Sequence, residues 1–222
     1  ERRAGVVHPL KLILDNYPEG KSEELVCPNH PQKPEMGTRT VTMSRELWIE
    51  QEDFAEVPPK GYRRLTIPAD GTPAKPVRLR NSYVIVPTSF EKDAEGNVVC
   101  VHADYLPETK SGTAGADSVK TKAAIHWLDA KTAVPAQFRM YDRLFTVPQP
   151  DSAEDFLDVL NRDSKFVSQG FVEPNVAAAV PETRYQFERV GYFVTDIKDH
   201  SAEHPVLNLA VGLRDSWGKN AK

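Results

Sequence analysis

Between positions 60 and 80 the chain carries six basic residues (Lys60, Arg63, Arg64, Lys75, Arg78 and Arg80) and one acid, Asp70. The whole protein has a net charge of −4, so this is a basic island on an acidic chain. Guanidinium forks beside a phenol ring, here Tyr62, suit phosphate oxygens, base edges and unstacked bases. The same residue types also protect an exposed edge strand from pairing with another chain. On composition alone both readings stand.

A second constellation is Tyr185-Gln186-Phe187-Glu188-Arg189-Val190-Gly191-Tyr192-Phe193. Aromatics alternate with Gln186 and Glu188, so a strand burying its rings presents the two polar groups together. Gln and Arg hydrogen-bond base edges, and Glu can hold an Arg in place. Strict alternation puts Arg189 on the face opposite Gln186, and Gly191 is the natural place for a bulge that re-aims it. An ordinary strand with a Glu-Arg surface pair explains the same residues.

Other chemistry is weaker. Cys27 and His30 have the spacing of half a zinc site, but zinc takes about four ligands and no second Cys/His pair follows. Cys100 and His102 alternate along one segment and also lack partners in sequence, and His126 beside Trp127 reads as a satisfied core histidine. GxSxG, P-loop and HExxH patterns are missing, neither cysteine has a catalytic context, and the carboxylates are scattered. No catalytic residue and no metal site is expected.

The elements that position these residues read as mostly β. Tyr62–Ile67 and Val77–Asn81 flank the Pro68–Pro76 turn as a predicted hairpin, with Val77 and Leu79 facing a core and Arg78 and Arg80 facing away. Strands are predicted at Leu10–Leu14, Glu24–Val26, Thr38–Met43, Glu46–Glu50, Tyr83–Val86, Val98–Val101, Ala123–Leu128, Ala136–Met140, Tyr185–Val194 and Val206–Leu213. Asp151–Asn161, with a cap, early acids and apolar residues at 156, 157 and 160, predicts the clearest helix. Val57-Pro58-Pro59-Lys60-Gly61 is a stiff connector. Residues 60–140 then hold five or six strands, a small barrel.

The composition is ordinary for a globular protein: 222 residues, 40% hydrophobic, 27% charged, with eighteen prolines that favour β structure over helical bundles. No apolar run approaches the ~18–20 residues that cross a bilayer as a helix. The opening Glu1-Arg2-Arg3 and the break at His8-Pro9 are unlike a signal peptide. Two distant cysteines make no disulfide framework, so a cytoplasmic location is expected.

Several motifs together resemble one family. His8-Pro9-Leu10-Lys11-Leu12 with Asn16-Tyr17, Pro28-Asn29-His30-Pro31 with Pro34-Glu35-Met36-Gly37-Thr38-Arg39, Val77-Arg78-Leu79-Arg80-Asn81, Ile125-His126-Trp127, Tyr141-Asp142-Arg143-Leu144-Phe145, Gln186-Phe187-Glu188-Arg189 and Leu213-Arg214-Asp215-Ser216-Trp217 resemble the C-terminal half of bacterial-type glutaminyl-tRNA synthetases across essentially the whole chain. The resemblance implies a mainly β fold of two barrels with short helices, the distal barrel inserted in the proximal one. The proximal barrel is expected from 1–59 plus 141–217, the distal barrel from 60–140, and a tail from 218–222.

It also implies that three anticodon bases are splayed into separate pockets. Arg2, Gln186 and Arg189, with Glu188 in support, resemble the readers of the central uridine. Arg64 resembles the reader of the third base, a guanine, and Arg78 and Arg80 resemble the pocket of the first base. Arg63 is expected on backbone phosphate, with Tyr62 as a stacking ring. Gln32 stands where the family pattern has asparagine, Gly61 where it has glutamine, and Leu209 where a basic residue is usual; the Pro68–Pro76 turn is longer than usual.

The implied partners are the anticodon stem-loop of tRNA(Gln) and an upstream catalytic domain of the same chain, with no DNA, no membrane and a monomeric state. HIGH and KMSKS-like signatures are missing; Thr42-Met43-Ser44-Arg45 matches the second only superficially. The chain is therefore expected to be a fragment that cannot activate glutamine, needing no cofactor itself while its parent uses ATP and Mg²⁺. A glutamyl-tRNA synthetase relative and a free-standing protein-interaction β domain are the alternatives.

Overall fold

The structure is a computed structural model and describes residues 1–213. The Arg214–Trp217 part of the last motif and the 218–222 tail lie outside the described residues.

The chain opens with two short strands, β1 (Arg2–Arg3) and β2 (Gly5–Val6), followed by β3 (Pro9–Leu14). In β3 strict alternation buries Leu10, Leu12 and Leu14. The strands β4 (Glu23–Pro28) and β5 (Thr38–Met43) pair only with each other. After β6 (Glu46–Glu50) a 3₁₀ turn, Gln51–Asp53, leads into an irregular stretch that ends at β7 (Val77–Leu79). The hairpin β8 (Val84–Lys92) and β9 (Val98–Leu106) closes through Asp93–Asn97, where the Asp93 carboxylate accepts from the Asn97 amide at 2.7 Å. Next come β10 (Ala124–Ile125), β11 (Leu128–Asp129), β12 (Val134–Tyr141) and β13 (Lys165–Val172), a one-turn α1 (Pro174–Ala177), then β14 (Arg184–Phe187), β15 (Gly191–Thr195) and β16 (Val206–Gly212).

These strands form two seven-stranded sheets, ordered β1-β14-β15-β16-β12-β13-β2 and β10-β7-β8-β9-β3-β6-β11. One is nearly closed into a barrel and the other is a half-barrel, as the mainly β, two-barrel expectation required. Each has its own core. Leu12, Leu47, Ile49, Leu79, Ile85 and Val101 fill one; Phe138, Phe187, Phe193, Val176 and Leu207 fill the other.

Sheet membership does not follow the expected division of the chain at 59/60 and 140/141. Strand β3 pairs in parallel with β9, and β6 lies beside β3. Residues 9–14 and 46–50 therefore belong to the sheet that holds 77–129, whereas β12 belongs with β13 and β16. Pairing between strands some ninety residues apart leaves no trace in local periodicity.

Three local expectations change. Tyr62–Ile67 is not a strand: Leu65 makes a single parallel bridge to Phe54, and the hairpin with Val77–Leu79 does not form. Pro68, Pro73 and Pro76 remove the amide donors that such a ladder needs. The predicted helix at 151–161 is two 3₁₀ turns, Pro150–Ser152 and Phe156–Val159, the second capped by the Asp155 carboxylate. Its apolar residues Phe156 and Leu157 stay exposed, so no packing holds a longer helix together.

Strand β13 had no signal in the sequence because its first half is exposed on both faces and a glycine interrupts it. A Cβ on Gly170 would lie 2.0 Å from the Val6 carbonyl oxygen. Gly170→Ala is expected to part β13 from β2 and lower stability by at least ~1–3 kcal/mol, measured as the urea midpoint. An unchanged midpoint would show that the two strands are not held this closely.

Candidate nucleic-acid interface

The site lies at the seam between the two sheets, and acids build it. Three carboxylates at the seam are buried: Glu50, Asp53 and Glu173. Glu50, at the end of β6, accepts from the amides of Val7 (2.8 Å) and His8 (2.9 Å), which belong to the link between β2 and β3. Glu173, just past β13, takes both Arg39 Nε (2.6 Å) and Nη2 (2.7 Å) and also the Ala4 amide (2.6 Å). Burial alone would lower the Arg39 pKa, but the bonds to Glu173 outweigh it and raise it.

Asp53 is the centre. The backbone bridge brings Leu65 N to Asp53 O at 2.9 Å and Leu65 O to Ala55 N at 3.0 Å. That pins the 62–65 segment beside the 3₁₀ turn, so Arg64 Nη1 donates to Asp53 Oδ1 (3.1 Å) and Glu52 Oε1 (2.8 Å). From the other sheet, Arg189 Nη1 donates to Asp53 Oδ2 at 2.9 Å and Nη2 to Oδ1. A carboxylate with no solvent exposure therefore receives two guanidinium groups that are each about one-fifth exposed. Desolvation would lower the Arg64 pKa, but its two acids raise it. The Arg64 guanidinium lies 5.3 Å from the Tyr62 ring centroid, and Tyr62 Oη donates to the Glu52 carbonyl at 2.9 Å. Burial pushes the Tyr62 phenol up, so the ring stays neutral.

A turn, not a bulge at Gly191, aims Arg189. Strand β14 ends at Phe187, and Val190 N closes on Phe187 O at 3.1 Å. Arg189 takes φ of 67°, a left-handed conformation that costs an ordinary residue about 1–2 kcal/mol. The register shift between β15 and β16 falls at Tyr192/Phe193 instead. Glu188, on the same turn, forms an ion pair with Arg80, its Oε2 2.6 Å from Nε. One strand back, Arg2 pairs with Gln186 in parallel register and donates from Nε to Gln186 Oε1 at 3.0 Å.

Five of the ten residues singled out from sequence thus meet in one seam, Tyr62, Arg64, Arg80, Glu188 and Arg189, while Arg2 and Gln186 pair with each other on β1 and β14 of the sheet that carries Glu188 and Arg189. The remaining three do neither. Gln32 and Arg63 are exposed, and no hydrogen bond or ion pair among the described residues ties either side chain to the cluster. Arg78 shares the outward face with Arg80, as strand parity requires, but its guanidinium is spent on protein. It donates to the carbonyls of Ser82 (3.2 Å), Thr109 (3.0 Å) and Ala116 and to Ser111 Oγ (3.2 Å). It brackets the 107–116 loop.

A cavity of about 230 Å³ opens beside the Arg80–Glu188 pair, with Arg39, Glu173, His126 and Trp127 on its wall. Asn81 enters it with a φ of 56°, and Trp127 Nε1 donates to the Arg80 carbonyl at 3.0 Å. His126 is buried as expected but not satisfied. Its Nε2 has no hydrogen-bond partner and sits 3.5 Å from Glu50, while Nδ1 is 3.4 Å from Arg189 Nη1. The sequence held no signal for Glu50, Asp53 or Glu173, since an acid's partner is set only when the sheets meet.

Paired donors and acceptors held rigid at a cleft, with an aromatic ring alongside, define a surface for hydrogen-bonding to planar polar groups such as nucleobases. Two family models described as "tRNA synthetases class I (E and Q), anti-codon binding domain" match residues 1–106 and 124–196. The chain belongs to this family of anticodon-binding domains.

Its relatives include the glutamine–tRNA ligase of Cupriavidus necator, 58% identical over 98% of this chain and 36% of that protein. The glutamine–tRNA ligases of Ralstonia nicotianae (54% identical, 98% of this chain, 37% of that protein) and Vibrio parahaemolyticus (50%, 98% and 38%) are also similar. The chain spans somewhat over a third of the length of these relatives. Among the described residues no helix is long and apolar enough to cross a membrane.

Proposed function

We propose that this chain is the anticodon-recognition part of a glutamine–tRNA ligase, and that the seam receives the splayed anticodon of tRNA(Gln). The observation that carries the reading is the convergence of Arg64 and Arg189 on Asp53, flanked by Arg2–Gln186 and Arg80–Glu188. The acids hold each guanidinium in one rotamer, and the remaining N–H groups stay available for a base edge. Such preorganisation lowers the entropy cost of recognition. The relatives' names favour glutamine over the glutamate-specific reading, and the family favours tRNA over a free-standing interaction domain.

In this reading Arg64 recognises the third base, Arg2, Gln186 and Arg189 the central one, and Arg80 the first. Glu188 steers Arg80, and Arg78 acts by holding the loop beside it. Arg63 and Gln32, both exposed, meet backbone or solvent-side groups of the loop. The parent enzyme joins glutamine to the tRNA with ATP and Mg²⁺ in the cytoplasm as a monomer, through a catalytic domain joined to this one.

Titration of tRNA(Gln) anticodon variants at two salt concentrations tests the assignment. Arg64→Ala should lose about 5–150-fold of discrimination at the third base, equivalent to the ~1–3 kcal/mol of one bidentate contact. Arg63→Ala should weaken every variant alike and flatten the salt slope by about one phosphate's worth. Equal losses for all variants from Arg64→Ala would defeat the assignment.

A further inference from the structure

The strand register away from the seam assembles a set of side chains that the sequence left apart. In the β8–β9 hairpin Glu91 stands directly opposite Cys100, and directly opposed residues of an antiparallel pair share a face. His102, two residues past Cys100, lies on that face as well. Cys100 Sγ is 3.8 Å from His102 Nε2, and Glu91 Oε1 is 3.0 Å from the same nitrogen. The three ligand atoms lie within 4.8 Å of one another.

The parallel neighbour β3 supplies the fourth part. Its last residues run beside β9, so Asp15 follows directly and its Oδ1 sits 2.9 Å from His102 Nδ1. With Nδ1–H donated to Asp15, Nε2 carries its lone pair toward Cys100 and Glu91. A carboxylate on the far nitrogen is the usual orienting partner of a metal-bound histidine.

We propose that Glu91, Cys100 and His102 form a binding site for a divalent zinc-like ion, with Asp15 as the positioning residue. A tetrahedral zinc with ordinary bond lengths puts nitrogen and sulfur about 3.5 Å apart and nitrogen and oxygen about 3.3 Å apart. The observed 3.8 Å and 3.0 Å differ from these by only a few tenths of an ångström. One thiolate, one imidazole and one carboxylate suit zinc better than calcium or magnesium, which take oxygen ligands. Glu91 is largely exposed, so water reaches the fourth position. Binding replaces the Cys100 thiol proton with the metal and needs an unprotonated Nε2, so protons are released on loading.

The same atoms admit one competing arrangement, an imidazolium of His102 shared by Asp15 and Glu91. Hydrogen bonding to Asp15 raises the His102 pKa, and burial pushes the Cys100 thiol up to about 11. Lys11, in register with Cys100, is held off by Glu46 at 2.9 Å and by the Trp48 ring.

Titration of the tag-free chain with Co²⁺, followed by Zn²⁺ displacement, separates the two. The proposal expects a thiolate-to-cobalt charge-transfer band saturating at one equivalent, bleached by Zn²⁺ and unchanged in Cys27→Ser. Cys100→Ser should abolish the band, and His102→Gln and Asp15→Asn should weaken metal affinity about 10–100-fold while circular dichroism stays that of the parent. A band that survives Cys100→Ser or disappears in Cys27→Ser overturns the proposal, as does a folded parent chain that gives none.

Discussion

Asp53→Ala should raise the affinity of the chain for tRNA in general while destroying its choice among anticodons. Asp53 is fully buried and takes Arg189 end-on through both nitrogens and Arg64 through one. Without it, Glu52, which is more than half exposed, is the one acid among the described residues paired with both guanidinium groups. Two cations then lose their fixed rotamers and gain net charge toward phosphate. The sequence-independent part of binding grows, and the salt slope steepens.

Discrimination at the third and central bases should fall by about 5–150-fold at each, because a loose fork no longer selects one edge geometry. Stability should also drop, toward the lower end of the ~3–5 kcal/mol typical of a broken buried pair, since both arginines keep some contact with water. Binding of anticodon variants across a salt series, beside urea unfolding, reads all three effects. If discrimination survives with the arginines released, the acid is structural only and the seam does not read bases through these two residues.

The second large effect is expected at Glu173. Its carboxylate is 4% exposed and Arg39 is 13% exposed, so neither charge has much water to fall back on. Glu173→Leu strands the guanidinium and leaves the Ala4 amide without its acceptor. The expected loss is about 3–5 kcal/mol, read as the urea midpoint at constant slope. Arg39→Leu together with Glu173→Leu should recover much of it, because a well-packed apolar pair often replaces a buried ion pair at little cost. The single variant should also expose the β4–β5 hairpin to proteases, since among the described residues that hairpin pairs with no other strand and Arg39 ties it to Glu173, just past β13. A single-variant loss below about 1 kcal/mol would mean that the hairpin is held by its other contacts, among them Glu23 with Tyr17, Tyr83 and Lys110.

In this protein of net charge −4 the seam arginines are held by the chain's own acids, and the proposed reading surface is built from such pairs. The acids that set the overall sign include the groups that aim the arginines. Asp53 and Glu173 are buried behind the arginines they hold, and Glu188 is largely so. Electrostatic attraction of a polyanion depends on where the charges lie, not on their sum.

Much of this protein was readable from its residues one by one. The short runs Leu10–Leu14 and Val98–Val101 mark strands, here Pro9–Leu14 and Val98–Leu106, and at Val77–Leu79 the structure keeps the expected parity, with Arg78 and Arg80 turned away from Val77 and Leu79. The Gln186–Arg189 run and the basic island announce hydrogen-bonding chemistry for the same reason: side-chain direction along a strand repeats every two residues and needs no distant partner. That rule failed at Tyr62–Ile67, beside the prolines of the 68–76 turn, and the helix expected at 151–161 failed for want of burial.

Only the tertiary structure decided which charges meet. Asp53 and Arg189, 136 residues apart, pair because the two sheets meet, and Arg2 and Gln186, 184 apart, because β1 lies parallel to β14 within one sheet. It also spent Arg78 on loop carbonyls and set Arg189 on a strained turn. An ion pair is chosen by proximity in space, and proximity between distant segments is a property of the closed fold rather than of any window along the chain.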